Sequence, residues 1–199
     1  NKEFFFKMEV GFSDQLSLFQ LNDHPKPESM FNDNYPFYTG SSEYMKAHFK
    51  NFSEFVKKSF LDTNSKIIEI GSNDGTLLKN FTENKDNILG IEPSKNVAEK
   101  AISEGVPTIN QFFTVENVSK LKDYIGCTDV IIASNCICHI PDLNNLIESI
   151  DILLSKNGTF IFEEPYLGSM FEKTSYDQIY DEHIYMFSAS SIKKIFNLY

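Results

Sequence analysis

No tryptophan occurs in the 199 residues, and cysteine is scarce: Cys127, Cys136 and Cys138 are the only three. An odd, small number of thiols beside apolar runs excludes a disulfide framework and reads as reduced cysteine in a cytoplasmic protein. No C-x-x-C occurs. Cys136 and Cys138 make a C-x-C without a second pair, an incomplete ligand set, so no metal is expected. Basic residues are also short, with 18 Lys and Arg against 28 Asp and Glu and a net charge of −10. That balance argues against nucleic acid as a partner, because such binding rests on Lys and Arg paired with phosphate. No apolar run approaches the roughly 18 residues of a membrane-spanning helix, and no membrane partner is expected. The opening Asn1–Lys7 lacks both an initiator Met and the features of a signal peptide, so the chain is read as cut from something longer.

Two phosphate-binding patterns are missing as well. Gly75 is followed by Thr76 where a P-loop has Lys, and Ser72 to Gly75 do not complete a G-x-G-x-x-G. What stands there is Glu69-Ile70-Gly71-Ser72-Asn73-Asp74-Gly75, an E-x-G-x-x-x-G after the apolar run 66–70. It reads as a buried parallel strand, a tight turn and a helix start. Gly71 and Gly75 allow the turn and a close approach of backbone to ligand. Carboxylates at 69 and 74 do not favour a polyphosphate but suit a cationic ligand.

Periodicity then organises the chain. Residues 1–40, with Pro25, Pro27 and Pro36, read as an irregular arm holding one hairpin within 6–20. Met45, Phe49, Phe52, Val56 and Phe60 fall at helical spacing behind a Ser42 N-cap. Strands are expected at 66–70, 87–92, 107–109, 129–133 and 159–163. Helices are expected after Gly75, from Ser94 to Glu104, over 115–125, after Asp142 and over 188–197, with a turn at 156–158. This alternation implies an α/β, Rossmann-like three-layer αβα sandwich, its sheet mainly parallel with order 3-2-1-4-5 and incomplete at the carboxyl end. The domain runs from 41 to 199, after the arm. Some of the 19 Phe and nine Tyr are expected to line a pocket.

In an open α/β sheet, ligands bind at the carboxyl ends of the strands. The turn 71–75 lies there, and so do Glu92-Pro93, where an acid accepts bonds from ribose hydroxyls. Gln111 and Phe112 follow the third strand and are placed for an adenine edge and face, with plain packing the competing reading. Ser134 and Asn135 follow the fourth strand. A ligand with adenine, ribose and a positive centre but no phosphate is S-adenosylmethionine, with S-adenosylhomocysteine as product.

Four runs carry a resemblance: Glu69–Gly75, Gly90–Ser94, Phe162–Tyr166 and Tyr176–His183 (Y-D-Q-I-Y-D-E-H). Together they resemble the S-adenosylmethionine-dependent sugar C-methyltransferases of deoxysugar biosynthesis, which methylate C-3 of nucleotide-linked 4-keto sugars. The match covers roughly 30–199, and the chain looks truncated at both ends. Family members carry an amino-terminal zinc module; here Ser13 and Leu16 stand where cysteines would, so 1–40 is read as its remnant without zinc ligands. The resemblance implies His183 as the base that removes the α-proton, with Glu182 and Tyr180 in the same site. Glu182 would orient the imidazole, and Tyr180 would donate to the keto oxygen or contact the sugar. It also implies substrate contacts from Tyr38 (with Tyr35 the alternative), Tyr166 and Tyr176. His139 is the rival base, read as a neighbour of the sulfonium end. From the residues alone, His183 reads as a solvated histidine in an acidic loop. A monomer or weak homodimer acting on a nucleotide sugar is expected. The alternatives are an O- or N-methyltransferase of another small molecule, or a non-catalytic binding module for the same cofactor.

Overall fold

The computed structural model describes residues 5–81, 84 and 86–198. Its strands are β1 (Val10–Ser13), β2 (Leu18–Leu21), β3 (Ile67–Ile70), β4 (Ile88–Ile91), β5 (Thr108–Ile109), β6 (Thr128–Ser134), β7 (Leu154–Glu163) and β8 (Tyr185–Met186). Its helices are α1 (Pro27–Met30), α2 (Glu43–Phe60), α3 (Lys95–Ser103), α4 (Val115–Val118), α5 (Leu143–Leu153), α6 (Leu167–Lys173) and α7 (Ala189–Phe196). Two compact units result. One takes the residues up to Met30 with Asn135–Leu143 and the chain from Glu163; the other takes Phe31–Ser134 and Asn144–Phe162. The expected boundary at residue 40 coincides with neither unit's edge. Among the described residues no helix is long and apolar enough to cross a membrane.

The larger unit holds a five-stranded sheet in the order β5-β4-β3-β6-β7. In chain order within that sheet this is the expected 3-2-1-4-5. β4 and β6 both pair with β3 in parallel, and β5 pairs with β4 in parallel. Every residue of β3 and β4 is buried, as continuous apolar runs demand when helices cover both faces. Helix α2 starts where Ser42 Oγ accepts from the Met45 amide at 3.3 Å, and it buries Phe49, Ser53 and Val56, one face of a helical repeat. Phe49 and Val56 join Ile67, Leu77, Leu78, Phe81, Val130 and Ile132 in the core of this unit. Phe60, expected on that face, is exposed and packs edge-on against Phe55 instead.

Four local expectations are corrected. The chain after Gly75 forms only a 3-10 turn, Leu78–Asn80, because Asn80 Nδ2 donates to the Thr76 and Leu77 carbonyls, both at 3.0 Å, and closes the turn at once. The helix expected over 115–125 stops at Val118; from Lys120 onward the amides reach back three residues or fewer, Lys120 to Asn117, Leu121 to Val118 and Lys122 to Lys120. Ser94 stands at the N-cap of α3, but its hydroxyl makes no capping bond. No turn interrupts 156–158, which lies inside β7. Gly158 serves a close approach there, since a Cβ would stand 2.8 Å from the Thr128 carbonyl.

The smaller unit is a three-stranded antiparallel sheet, β1-β2-β8, joined by α6 and α7. The hairpin expected in the arm is β1–β2, with Val10 opposite Leu21 and Ser13 opposite Leu18. Leu167, Met170 and Met186 pack with Phe19 and Ile179 as its apolar cluster. Ser188 and Ser191 cap α7 reciprocally, Ser191 N to Ser188 Oγ at 3.0 Å and Ser188 N to Ser191 Oγ at 2.8 Å.

Candidate functional site

In the larger unit, the carboxyl end of the sheet is organised around Glu92. This side chain is 5% exposed. One oxygen accepts from the Asn73 amide at 3.0 Å and the other from the Ser94 amide at 2.7 Å. Burial pushes its carboxyl above the usual range, and the two amides pull it back. Glu92 therefore ties the turn after β3 to the start of α3. Gly71 (φ 64°), Asn73 (φ 48°) and Gly75 (φ 74°) all take left-handed backbone in that turn, which brings the Gly71 and Ser72 amides onto the Ile91 carbonyl. Gly90 must lack a side chain, because a Cβ would stand 2.4 Å from Ser72 Oγ.

The turn also clamps the segment before α2. Asn73 Nδ2 donates to the Phe37 carbonyl at 3.1 Å, and its Oδ1 accepts from the Thr39 amide at 2.9 Å. Asp74 accepts from the Gly40 amide at 2.9 Å and from Thr76 Oγ1 at 2.6 Å. Both of its oxygens thus meet protein groups, and the acid expected to favour a cationic ligand has a positioning role. Asn96, at the start of α3, completes the clamp. It accepts from the Tyr35 amide at 3.2 Å and donates to the Tyr35 carbonyl and to Tyr38 Oη, both at 2.8 Å. Sequence reasoning missed Asn96; a lone Asn inside a helix leaves no pattern.

Glu69 is buried in β3 between Gly90 and Ile132. Asn110 Nδ2 donates to the Glu92 and Pro93 carbonyls, and the Gln111 amide follows onto Glu92. Phe112 is half-buried. Buried polar atoms of this unit without a hydrogen-bond partner among the described residues include Ser72 Oγ, Ser94 Oγ, Gln111 Nε2 and Ser134 Oγ. They lie just after β3, at the start of α3, just after β5 and at the end of β6, around the end of the sheet where an α/β fold takes its ligand. Orphaned buried donors and acceptors are costly. Hydroxyl, amine and ring-nitrogen groups on a ligand would satisfy them.

The smaller unit holds a second, ionisable cluster. His183 is 7% exposed. Its Nδ1 faces the Gln178 carbonyl at 2.9 Å, and a carbonyl can only accept, so Nδ1 carries the proton. Nε2 then accepts from the Tyr180 hydroxyl at 2.8 Å. The Gln178 carbonyl takes the orienting place expected of Glu182. Burial, reinforced by neighbouring His139, lowers His183 from 6.5 to about 4. Burial and the charge of Glu182 push the Tyr180 phenol up to about 12.

Segment 135–140 is stitched to the same loop. His139 Nδ1 lies 2.7 Å from the Glu182 carbonyl and its Nε2 lies 3.1 Å from the Asn135 carbonyl. The Ile184 amide donates to the Cys138 carbonyl at 3.0 Å. Asn135, with φ 53°, gives its amide to the Glu163 carbonyl. Glu164 had no expected role. Its Oε1 accepts from both the Cys136 amide (2.8 Å) and the Ile137 amide (2.7 Å), and Oε2 is buried without a hydrogen-bond partner among the described residues. The Cys138 thiol lies against this carboxyl, and burial holds the thiol well above its ordinary range. No metal was expected from Cys136 and Cys138 alone. The fold instead gathers Cys138, His139 and His183, whose ligand atoms all lie within 4.8 Å of one another. Tyr166 and Tyr176 stand apart as exposed rings at the starts of α6 and of the 3-10 turn Tyr176–Gln178.

A family model described as a methyltransferase domain matches residues 42–199. The chain is 27% identical over 195 residues to the C-methyltransferase NovU of Streptomyces niveus, covering 98% of this chain and 46% of that protein. It thus spans about half the length of this curated relative. Among solved structures, a possible histamine N-methyltransferase from Thermotoga maritima is 21% identical over 78% of this chain and 72% of that one, with a TM-score of 0.56. The plantazolicin methyltransferase BpumL, solved with S-adenosylhomocysteine, is 18% identical over 75% of this chain and 61% of that one, with a TM-score of 0.55. These likenesses establish the fold.

Proposed function

The chain belongs to the methyltransferase-domain family, with S-adenosylmethionine as cofactor, and from that premise we propose that it is a C-methyltransferase acting on a nucleotide-linked keto sugar. The observation that carries this reading is the Tyr180–His183 pair, in which the buried, neutral imidazole of His183 keeps a lone pair on Nε2 against the phenol of Tyr180, itself open to solvent. Methylation of oxygen or nitrogen needs no carbon acid to be ionised. Methylation of carbon beside a ketone needs a base for the α-proton and a donor for the oxygen that gains charge. The resemblance of Y-D-Q-I-Y-D-E-H to the sugar C-methyltransferases, and the likeness to NovU, support the same choice.

The turn 71–75, Glu92, Pro93, Gln111, Phe112, Ser134 and Asn135 would hold the cofactor, with Ser72, Gln111 and Ser134 supplying the unsatisfied polar atoms. When bound, S-adenosylmethionine supplies the electrophilic methyl that an enolate carbon takes. The residues of the chain do the rest. His183 Nε2 removes the α-proton, and its Nδ1–H on Gln178 keeps the ring oriented while it does so. Tyr180 releases Nε2 and donates to the keto oxygen. Desolvation, and after it the charge of Glu182, hold Tyr180 in its protonated, donating form. Tyr38, Tyr166, Tyr176 and His139 are proposed substrate neighbours.

Incubation with a nucleotide-linked 4-keto sugar in deuterated water, with S-adenosylhomocysteine present, tests the base. Exchange at the α-carbon that is lost in His183→Ala is the expected result. Retained exchange in that variant overturns the assignment. Methyl transfer without exchange in the parent favours an O- or N-methyltransferase.

A further inference from the structure

Cys138 has no part in the proposed proton transfer, yet its sulfur sits with two imidazoles. We propose that Cys138 Sγ, His139 and His183 Nε2 form a binding site for a thiophilic divalent cation, with zinc as the natural occupant. The three ligand atoms already lie within 4.8 Å of one another. Around tetrahedral zinc, bonds of about 2.0–2.1 Å to nitrogen and 2.3 Å to sulfur set ligand separations of roughly 3.4–3.6 Å.

The surroundings favour closure. Each histidine has Nδ1 against a backbone carbonyl, Gln178 for His183 and Glu182 for His139. A carbonyl on the far nitrogen is how proteins fix a ligating imidazole; a metal on Nε2 would take the place of the Tyr180 hydroxyl at His183 and of the Asn135 carbonyl at His139. The two ligand-bearing segments are already joined by the Ile184–Cys138 backbone bond at 3.0 Å and by the His139–Glu182 contact, so binding need not assemble them. The Glu164 carboxyl lies against the Cys138 thiol but outside the three-residue cluster, and a shift of that side chain would bring one of its oxygens in as the fourth ligand. On binding, the metal–sulfur bond replaces the S–H bond and the proton leaves to solvent; no oxidant or reductant is involved. Tyr180 gives up its bond to Nε2. If His183 is the base, which rests on the function proposed above, an occupied site takes its lone pair and turnover stops.

Titration with Co²⁺, a spectroscopic stand-in for zinc, decides the matter without any activity measurement. A thiolate-to-cobalt charge-transfer band saturating at one equivalent is expected in the parent, and zinc should displace it. Cys138→Ser should abolish the band, whereas Cys136→Ser and Cys127→Ser should keep it. No band in the parent, a band that survives Cys138→Ser, or one that disappears with Cys136→Ser would each overturn the proposal. If Cys138→Ser does not fold, His183→Gln serves instead: its thiolate band should need at least about tenfold more cobalt, and an unchanged affinity overturns the site.

Discussion

Two glutamates, Glu92 buried in the larger unit and Glu164 half-buried in the smaller, show how the same side chain is put to different use. Glu92 spends its two oxygens separately, one on the Asn73 amide and one on the Ser94 amide. Glu164 turns one oxygen to two successive amides, Cys136 and Ile137, and leaves the other without a partner among the described residues. Burial raises both carboxyls. Glu92 is a clamp: it holds the glycine turn in shape with both oxygens engaged. Glu164 holds a loop with one oxygen, and its carboxyl lies against the Cys138 thiol. The larger unit thus shapes its proposed ligand site by tying backbone to backbone. The smaller unit concentrates groups that can exchange protons or bind a metal.

The largest expected effect lies in the smaller unit. His183→Ala should lower turnover on an accepted keto sugar by about 10²–10⁴-fold, the usual worth of a positioned base. Cofactor binding, read by the melting shift with S-adenosylhomocysteine, should stay unchanged. Parent-like turnover would leave the ionisable cluster without a catalytic role.

Glu92→Gln should come next, at about 2–3 kcal/mol, because a carboxamide turns one accepting oxygen into a donor facing an amide and removes the charge from two hydrogen bonds. Denaturant unfolding measures this, and the cofactor-dependent melting shift should fall with it. Acidification gives a third, comparable effect. A histidine buried neutral resists protonation, so the unfolded chain takes up the proton first. The His183 contribution is therefore complete above 6.5 and is lost as pH falls towards about 4. Allowing for partial solvent access, the loss is on the order of 2 kcal/mol. His183→Gln should flatten the stability profile across that interval, and an unchanged slope would contradict the buried, neutral assignment. The smallest effect is expected for Glu164→Gln, at less than about 1 kcal/mol, because the oxygen that accepts both amides survives and the new amide faces an empty valence. Equal costs for the two Glu→Gln variants would erase the contrast between the two glutamates.

The larger unit was legible because its signals are local. A buried run ending in E-x-G-x-x-x-G, and an acid at the end of the next strand, follow from strand period and glycine chemistry, and the parallel topology places them at one end of the sheet. Helix lengths were less legible. Asn80 and the back-reaching amides after Lys120 end turns early by hydrogen bonds that leave no periodicity. β8 is two residues long and exists because β2 offers it an edge. Asn96, Asn73 and Asp74 clamp a segment far away in the chain, which no spacing rule reveals.

The sequence by itself determined the alternation of strands and helices, the sheet order and the glycine turn with its acid, because backbone propensity and burial act on neighbouring residues. It also marked Tyr180, Glu182 and His183 as one loop. Only the tertiary structure decided that His183 is buried and oriented by Gln178 and not by Glu182, that Glu164 has an oxygen to spare, and that Cys138 shares a site with two histidines. Those facts depend on distances between segments remote in sequence and on desolvation, and both arise only once the chain has folded.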